Sequence, residues 1–145
     1  MIRTFFVETI VLLLLAFAGA GISWAFRSDS ETPAACDPAN LEPGYICFSD
    51  AKELEGLVWV DARERGLWER NGREDSVLLT DHPSEDWDAL MAEAFGTLAS
   101  AQTVVVYCAS EGCGSSEPVA RKIRELGVVP SEQVYVLSGG WKALR

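Results

Sequence analysis

Two cysteines, Cys108 and Cys113, stand close together in VVVYCASEGCGSSEP (Val104–Pro118), between a run of branched apolar residues and a proline. A cysteine sulfur acts as a nucleophile in its thiolate form, so the question is what would deprotonate it here. The loop of Ala109, Ser110, Glu111, Gly112, Cys113, Gly114, Ser115 and Ser116 has no bulky side chain beyond Glu111 and Cys113. Its backbone amides can therefore curl around the Cys108 sulfur, and a helix starting just downstream aims the positive end of its dipole there. Both effects favour thiolate. The plainer reading makes Cys108 a small buried hydrophobe that closes a strand. The glycines, the serines and Pro118 in the first helical turn weigh towards the nucleophile. Cys113 is a possible resolving thiol, because a curled loop can bring it within bonding distance, where it would exchange with whatever sulfur Cys108 binds. It equally fits as a mere loop residue. One such pair without a neighbouring histidine is half of a zinc ligand set, so no metal and no cofactor are expected.

A nucleophile needs a frame. YICFS reads as a short strand, SDAKELEG as a helical turn or two capped by Ser49 or Asp50, and LVWVDAR as a buried strand ending in Asp61 and Arg63. SEDWDALMAEAFGTLA has a capping-type start at Ser84 and places Trp87, Leu90, Met91, Ala94 and Phe95 on one helical face. TVVVYC is an apolar strand, SSEPVARKIRELG a helix with Val119, Ala120, Ile123 and Leu126 inward and Gly127 at its end, and QVYVL a further strand. This alternation predicts an α/β domain with a mostly parallel central sheet flanked by helices. Its active groups would lie beyond the carboxyl ends of the strands, where Cys108 stands.

The chain has 145 residues and a net charge of −10, which suits one domain with an appendage and argues against nucleic acid and against anionic lipid heads as partners. The appendage is residues 1–27, where Thr9 to Phe26 carries no charge and Arg27 follows at once. One hydrophobic helix there, at about 1.5 Å per residue, nearly crosses a hydrocarbon core of about 30 Å. A cleaved secretory signal is the alternative, with small residues at Ala18–Ala20 for the peptidase; length favours the anchor. Either reading exports the rest of the chain, so the domain is expected on the outer face of a membrane, periplasmic in a bacterium, although charge alone leaves the orientation open. Residues 28–44, rich in Pro, Ser, Asp and Glu, read as a linker, and residues 45–145 as the domain.

Three segments together resemble the rhodanese-like domain, the sulfurtransferase module. LVWVDARERGLWERNG is similar to its opening strand, with Asp61 and Arg63 at the structural acid and base and Trp68 at an aromatic position; VVVYCASEGCGSSEPVARKIRELG is similar to its strand, active loop and helix; VYVLSGGWKALR is similar to its closing strand, with Gly139, Gly140 and Trp141 at the turn. The resemblance implies that Cys108 forms a persulfide, taking sulfane sulfur from thiosulfate or another persulfide and passing it to a thiol acceptor. A non-catalytic, membrane-tethered binding module of the same fold is the alternative. The chain departs from the family where GREDS (Gly72–Ser76) replaces a His-Ile-Pro-Gly-Ala segment, and in a longer active loop that carries Glu111 and no arginine or lysine. That carboxylate would repel thiosulfate and raise the thiol pKa. A phosphatase is set aside because phosphate needs a guanidinium clamp. The one histidine, His82, is expected on a solvent-facing loop. Oligomeric state stays open.

Cys36 and Cys47 allow two arrangements. In an oxidising compartment they can form a disulfide that staples the linker to the first strand. The residues lean to the other arrangement, a buried Cys47 on an inward strand face with Cys36 free, because four cysteines allow three pairings.

Overall fold

The computed structural model describes residues 36–109 and 114–145; the expected N-terminal helix and cleavage site lie outside them. Among the described residues no helix is long and apolar enough to cross a membrane.

Valines with an apolar residue on either side suit a strand covered on both faces. β4 (Thr103–Tyr107) is such a strand, buried at all five positions. It lies at the centre of a five-stranded sheet in the order β1-β5-β4-β2-β3, where β1 is Tyr45–Ile46, β2 Leu57–Asp61, β3 Ser76–Leu78 and β5 Val134–Leu137. Every pairing is parallel, which is more uniform than the mostly parallel sheet expected. Parallel neighbours need a crossover connection, and each here contains a helix. These are α1 (Phe48–Ala51), α2 (Arg65–Asn71), α3 (Trp87–Ala99) and α4 (Ser116–Leu126).

Successive side chains of a strand point to opposite faces, and β4 and β2 sort their residues accordingly. Val104, Val106 and Cys108 with Val60 join an aliphatic cluster under α3 and α4 that includes Leu79, Leu90, Leu98, Val119 and Ile123. Val105 and Tyr107 with Trp59 join an aromatic cluster bordered by Phe48 and Trp141.

Several expectations are corrected. α3 is capped by Asp86, whose carboxylate accepts from the amides of Asp88 at 3.0 Å and Ala89 at 3.3 Å; Ser84 bonds His82 instead. Its buried line is Leu90, Ala94 and Leu98, spaced by four, so Phe95, about 100° further round, is 53% exposed. Leu126 is exposed as well, because α4 ends there at Gly127 in the left-handed region (φ 65°), and Val129 beyond the turn takes the buried place. α1 is capped by Cys47, whose carbonyl accepts from the amides of Asp50 and Ala51, so Ser49 and Asp50 lie inside the helix.

The pair Cys36–Cys47 is a disulfide, against the free Cys36 that the residues favoured; the burial of Cys47 does hold. A 3-10 turn at Pro38–Asn40, capped by Asp37, folds the intervening chain so that the two sulfurs meet. Part of the segment read as linker is thus covalently tied to the end of β1.

Candidate active site

β2 and β4 pair in register with Asp61 beside Tyr107, so their carboxyl ends deliver Asp61, Ala62 and Cys108 to one edge of the sheet. The Ala62 amide donates to the Tyr107 carbonyl at 2.8 Å and continues the ladder one step past β2. Cys108 follows directly, with a residue exposure of 2%.

Hydrogen bonds reach Cys108 at both its carbonyl and its sulfur. Its carbonyl accepts from the amide of Trp141 at 2.6 Å, and its Sγ accepts from the hydroxyl of Ser116 at 3.4 Å. Ser116 is buried and is the first residue of α4, with Ser115 at the N-cap. Pro118 lies in the first turn, where its missing N–H interrupts nothing. The helix start and a hydroxyl therefore converge on the sulfur, both of which favour negative charge there. The Ser115 side chain makes no capping bond. Cys108 is disulfide-bonded. Ala109 and Gly114 are exposed. Ser110, Glu111, Gly112 and Cys113 lie outside the described residues.

Asp61 and Arg63 form a buried ion pair, 0% and 5% exposed. Arg63 Nη2 donates to Asp61 Oδ2 at 2.7 Å, Nε donates to Oδ1 at 2.9 Å, and the Arg63 amide donates to Oδ1 at 3.0 Å. Nη1 donates to Asn71 Oδ1 at 3.0 Å. Burial alone would lower the Arg63 pKa; the hydrogen bonds and charge of Asp61 outweigh it and raise the guanidinium above its ordinary value. The guanidinium carbon lies 4.4 Å from the ring centre of Trp141 and 5.7 Å from that of Tyr107, within cation–π range. Trp141 is reached through Gly139 (φ 77°) and Gly140 (φ 55°), a left-handed pair that glycine adopts without strain. Asp61, Arg63, Gly139, Gly140, Trp141 and Cys108 are thereby brought together. The ion pair braces Trp141 from below, and Trp141 grips the cysteine backbone.

A second network escaped the sequence reading. The Tyr107 hydroxyl donates to Ser76 Oγ at 3.3 Å and accepts from the Arg73 amide at 3.3 Å, while Ser76 Oγ donates to the Arg73 carbonyl at 2.7 Å and accepts from Trp68 Nε1 at 3.1 Å. These bonds are the means by which GREDS turns. Burial pushes the Tyr107 pKa up to about 12. His82 is exposed on its loop. Among the described residues no group of His, Cys, Asp and Glu is arranged to hold a metal ion.

A family model described as the rhodanese-like domain matches residues 48–145. The comparison with curated proteins returned no match. Among solved structures, the chain is similar to the N-terminal domain of a candidate ATP/GTP-binding protein from Clostridium difficile 630, with 21% identity and a TM-score of 0.53, over 70% of this chain and 95% of that one. At that identity the likeness speaks for the fold.

Proposed function

Because the chain belongs to the rhodanese-like domain family, we propose that it is a sulfurtransferase that carries sulfane sulfur on Cys108. The observation that carries this reading is the placing of Cys108 Sγ, at the end of a central strand and within 3.4 Å of the Ser116 hydroxyl at the start of α4. The Cys108 thiolate attacks the outer sulfur of thiosulfate, sulfite leaves with the electron pair of the broken S–S bond, and a persulfide remains. An acceptor thiolate then attacks the outer sulfur of that persulfide and departs carrying it, which restores the Cys108 thiolate. A persulfide donor enters the same sequence with a thiolate as the leaving group.

The disulfide on Cys108 supports an added exchange step. Cys113, five residues further along the same loop in sequence, is the proposed exchange partner. A dithiol reductant opens that bond and frees the nucleophile. The Cys36–Cys47 bond also supports an oxidising compartment, consistent with a domain held outside a membrane by residues 1–27. One observation favours the non-catalytic module instead: Cys108 is only 2% exposed, which a donor must overcome to reach it.

The test is to reduce the full-length chain, remove the reductant, add thiosulfate or a low-molecular-weight persulfide, and follow added sulfur by intact mass spectrometry. One sulfur should load on Cys108, be lost in Cys108→Ser and load initially in Cys113→Ser. Equal loading of Cys108→Ser would overturn the assignment, and no loading of the wild type by either donor would leave the binding module as the reading.

A further inference from the structure

The Cys36–Cys47 disulfide lies at the head of an unbroken series of contacts that ends on Cys108. Cys47 is fully buried, follows β1 directly and caps α1. β1 itself is only two residues long and, among the described residues, pairs with β5 alone. Its anchorage to β5 includes the Val136 amide donating to the Gly44 carbonyl at 2.8 Å and the Ser138 amide donating to the Ile46 carbonyl at 3.0 Å. Ser138 opens the turn through Gly139 and Gly140 to Trp141, whose amide holds the Cys108 carbonyl at 2.6 Å. A strand so short, on the edge of a sheet, has little pairing of its own to hold it. The disulfide closes the chain behind it with a sequence separation of 11.

We infer that the Cys36–Cys47 disulfide is a second redox site, open to a dithiol reductant, and that its state sets how firmly the Ser138–Trp141 turn holds Cys108. Cys36 is half-buried and Cys47 is fully buried, so the incoming thiolate reaches the Cys36 sulfur first. A mixed disulfide forms on Cys36 and the Cys47 sulfur leaves as thiolate and takes up a proton. The second thiol of the reductant then displaces Cys36, which is released as a thiol, and the reductant departs as its own disulfide. With the bond open, residues 36–44 no longer tie β1 down. The Ser138 amide loses part of its protection at Ile46, and the turn loosens its hold on the cysteine backbone. The consequence for catalysis rests on Cys108 being the reactive sulfur; the coupling itself does not.

Amide hydrogen exchange separates the two. The full-length wild type and Cys36→Ser are compared without reductant, with Cys36→Ser/Cys47→Ala as a second variant that leaves no lone buried thiol. Opening the bond should speed exchange at Val136, Ser138 and Trp141 about tenfold or more, while the amides of β4 keep their protection. Unchanged exchange at Ser138 and Trp141 overturns the coupling, and so does an equal loss at β4, which would make the disulfide a general stabiliser. Exchange is read whether or not the chain transfers sulfur, so a failed loading experiment leaves this result standing.

Discussion

The two faces of the sheet are built on different physical terms. Under α3 and α4 the buried cluster is almost wholly aliphatic and alanine, and its one ionisable side chain, Cys108, is held in a disulfide. Such packing gains from volume and shape and tolerates conservative exchange. On the other face Phe48 packs beside Trp59, and the rings of Trp59, Tyr107 and Trp141 meet the guanidinium groups of Arg63 and Arg73. Partners there are specific and shared, as where Arg63 lies over both Trp141 and Tyr107. Among the described residues no buried side-chain polar atom lacks a partner, so removing any member of such a set strands another. The aliphatic face holds the domain together, and the aromatic face positions the residues around Cys108.

The largest break in that contrast should come from Arg63→Ala. It leaves Asp61 buried and unpaired, and a cost of about 3–5 kcal/mol is expected in urea denaturation, with Trp141 fluorescence changing even where the domain still folds. A loss below about 1 kcal/mol would show that the aromatic face is as tolerant as the other.

A middle-sized effect is expected from pH. Tyr107 is neutral when folded and its pKa stands at about 12 instead of 10.0, so between those values the unfolded chain has released a proton that the folded chain retains. Stability is therefore full below pH 10 and falls as pH rises towards 12, by roughly 2–3 kcal/mol at 1.36 kcal/mol per unit. Tyr107→Phe should show less of this decline, and an identical decline in both proteins would mean that other groups cause it. The smallest effect belongs to the aliphatic face. Ile123→Val should cost only about 0.5–1.5 kcal/mol by thermal denaturation and leave sulfur loading on Cys108 unchanged.

Legibility in the sequence divides along the same line. The valines of β4 and the helical line Val119, Ala120 and Ile123 announce themselves because hydrophobic period is a local signal. Asp61, Arg63 and the Gly139–Trp141 turn were legible as a pattern, and the structure brings them together. β3 was missed because it is three residues long and begins on the last residue of the charged GREDS segment. α2 was missed for the opposite reason, since none of its residues is buried and it shows no apolar stripe. Phe95 and Leu126 were placed inward because periodicity marks a face without giving its width. The Tyr107 network joins residues 31 and 34 apart in sequence, and no local pattern carries such a pairing. Cys36 and Cys47 were ambiguous because the turn that joins them is made by Asp37 and Pro38, residues equally at home in an open linker.

The strand order has a consequence for how the chain comes to be folded. Among the described strands β1 comes first along the sequence and has β5, the last, as its only neighbour, so during synthesis it waits for a partner that emerges some 90 residues later. The Cys36–Cys47 bond spans only 11 positions and can close long before that. An oxidised early segment would then reach its docking site as a preformed loop, with much of its chain entropy already surrendered.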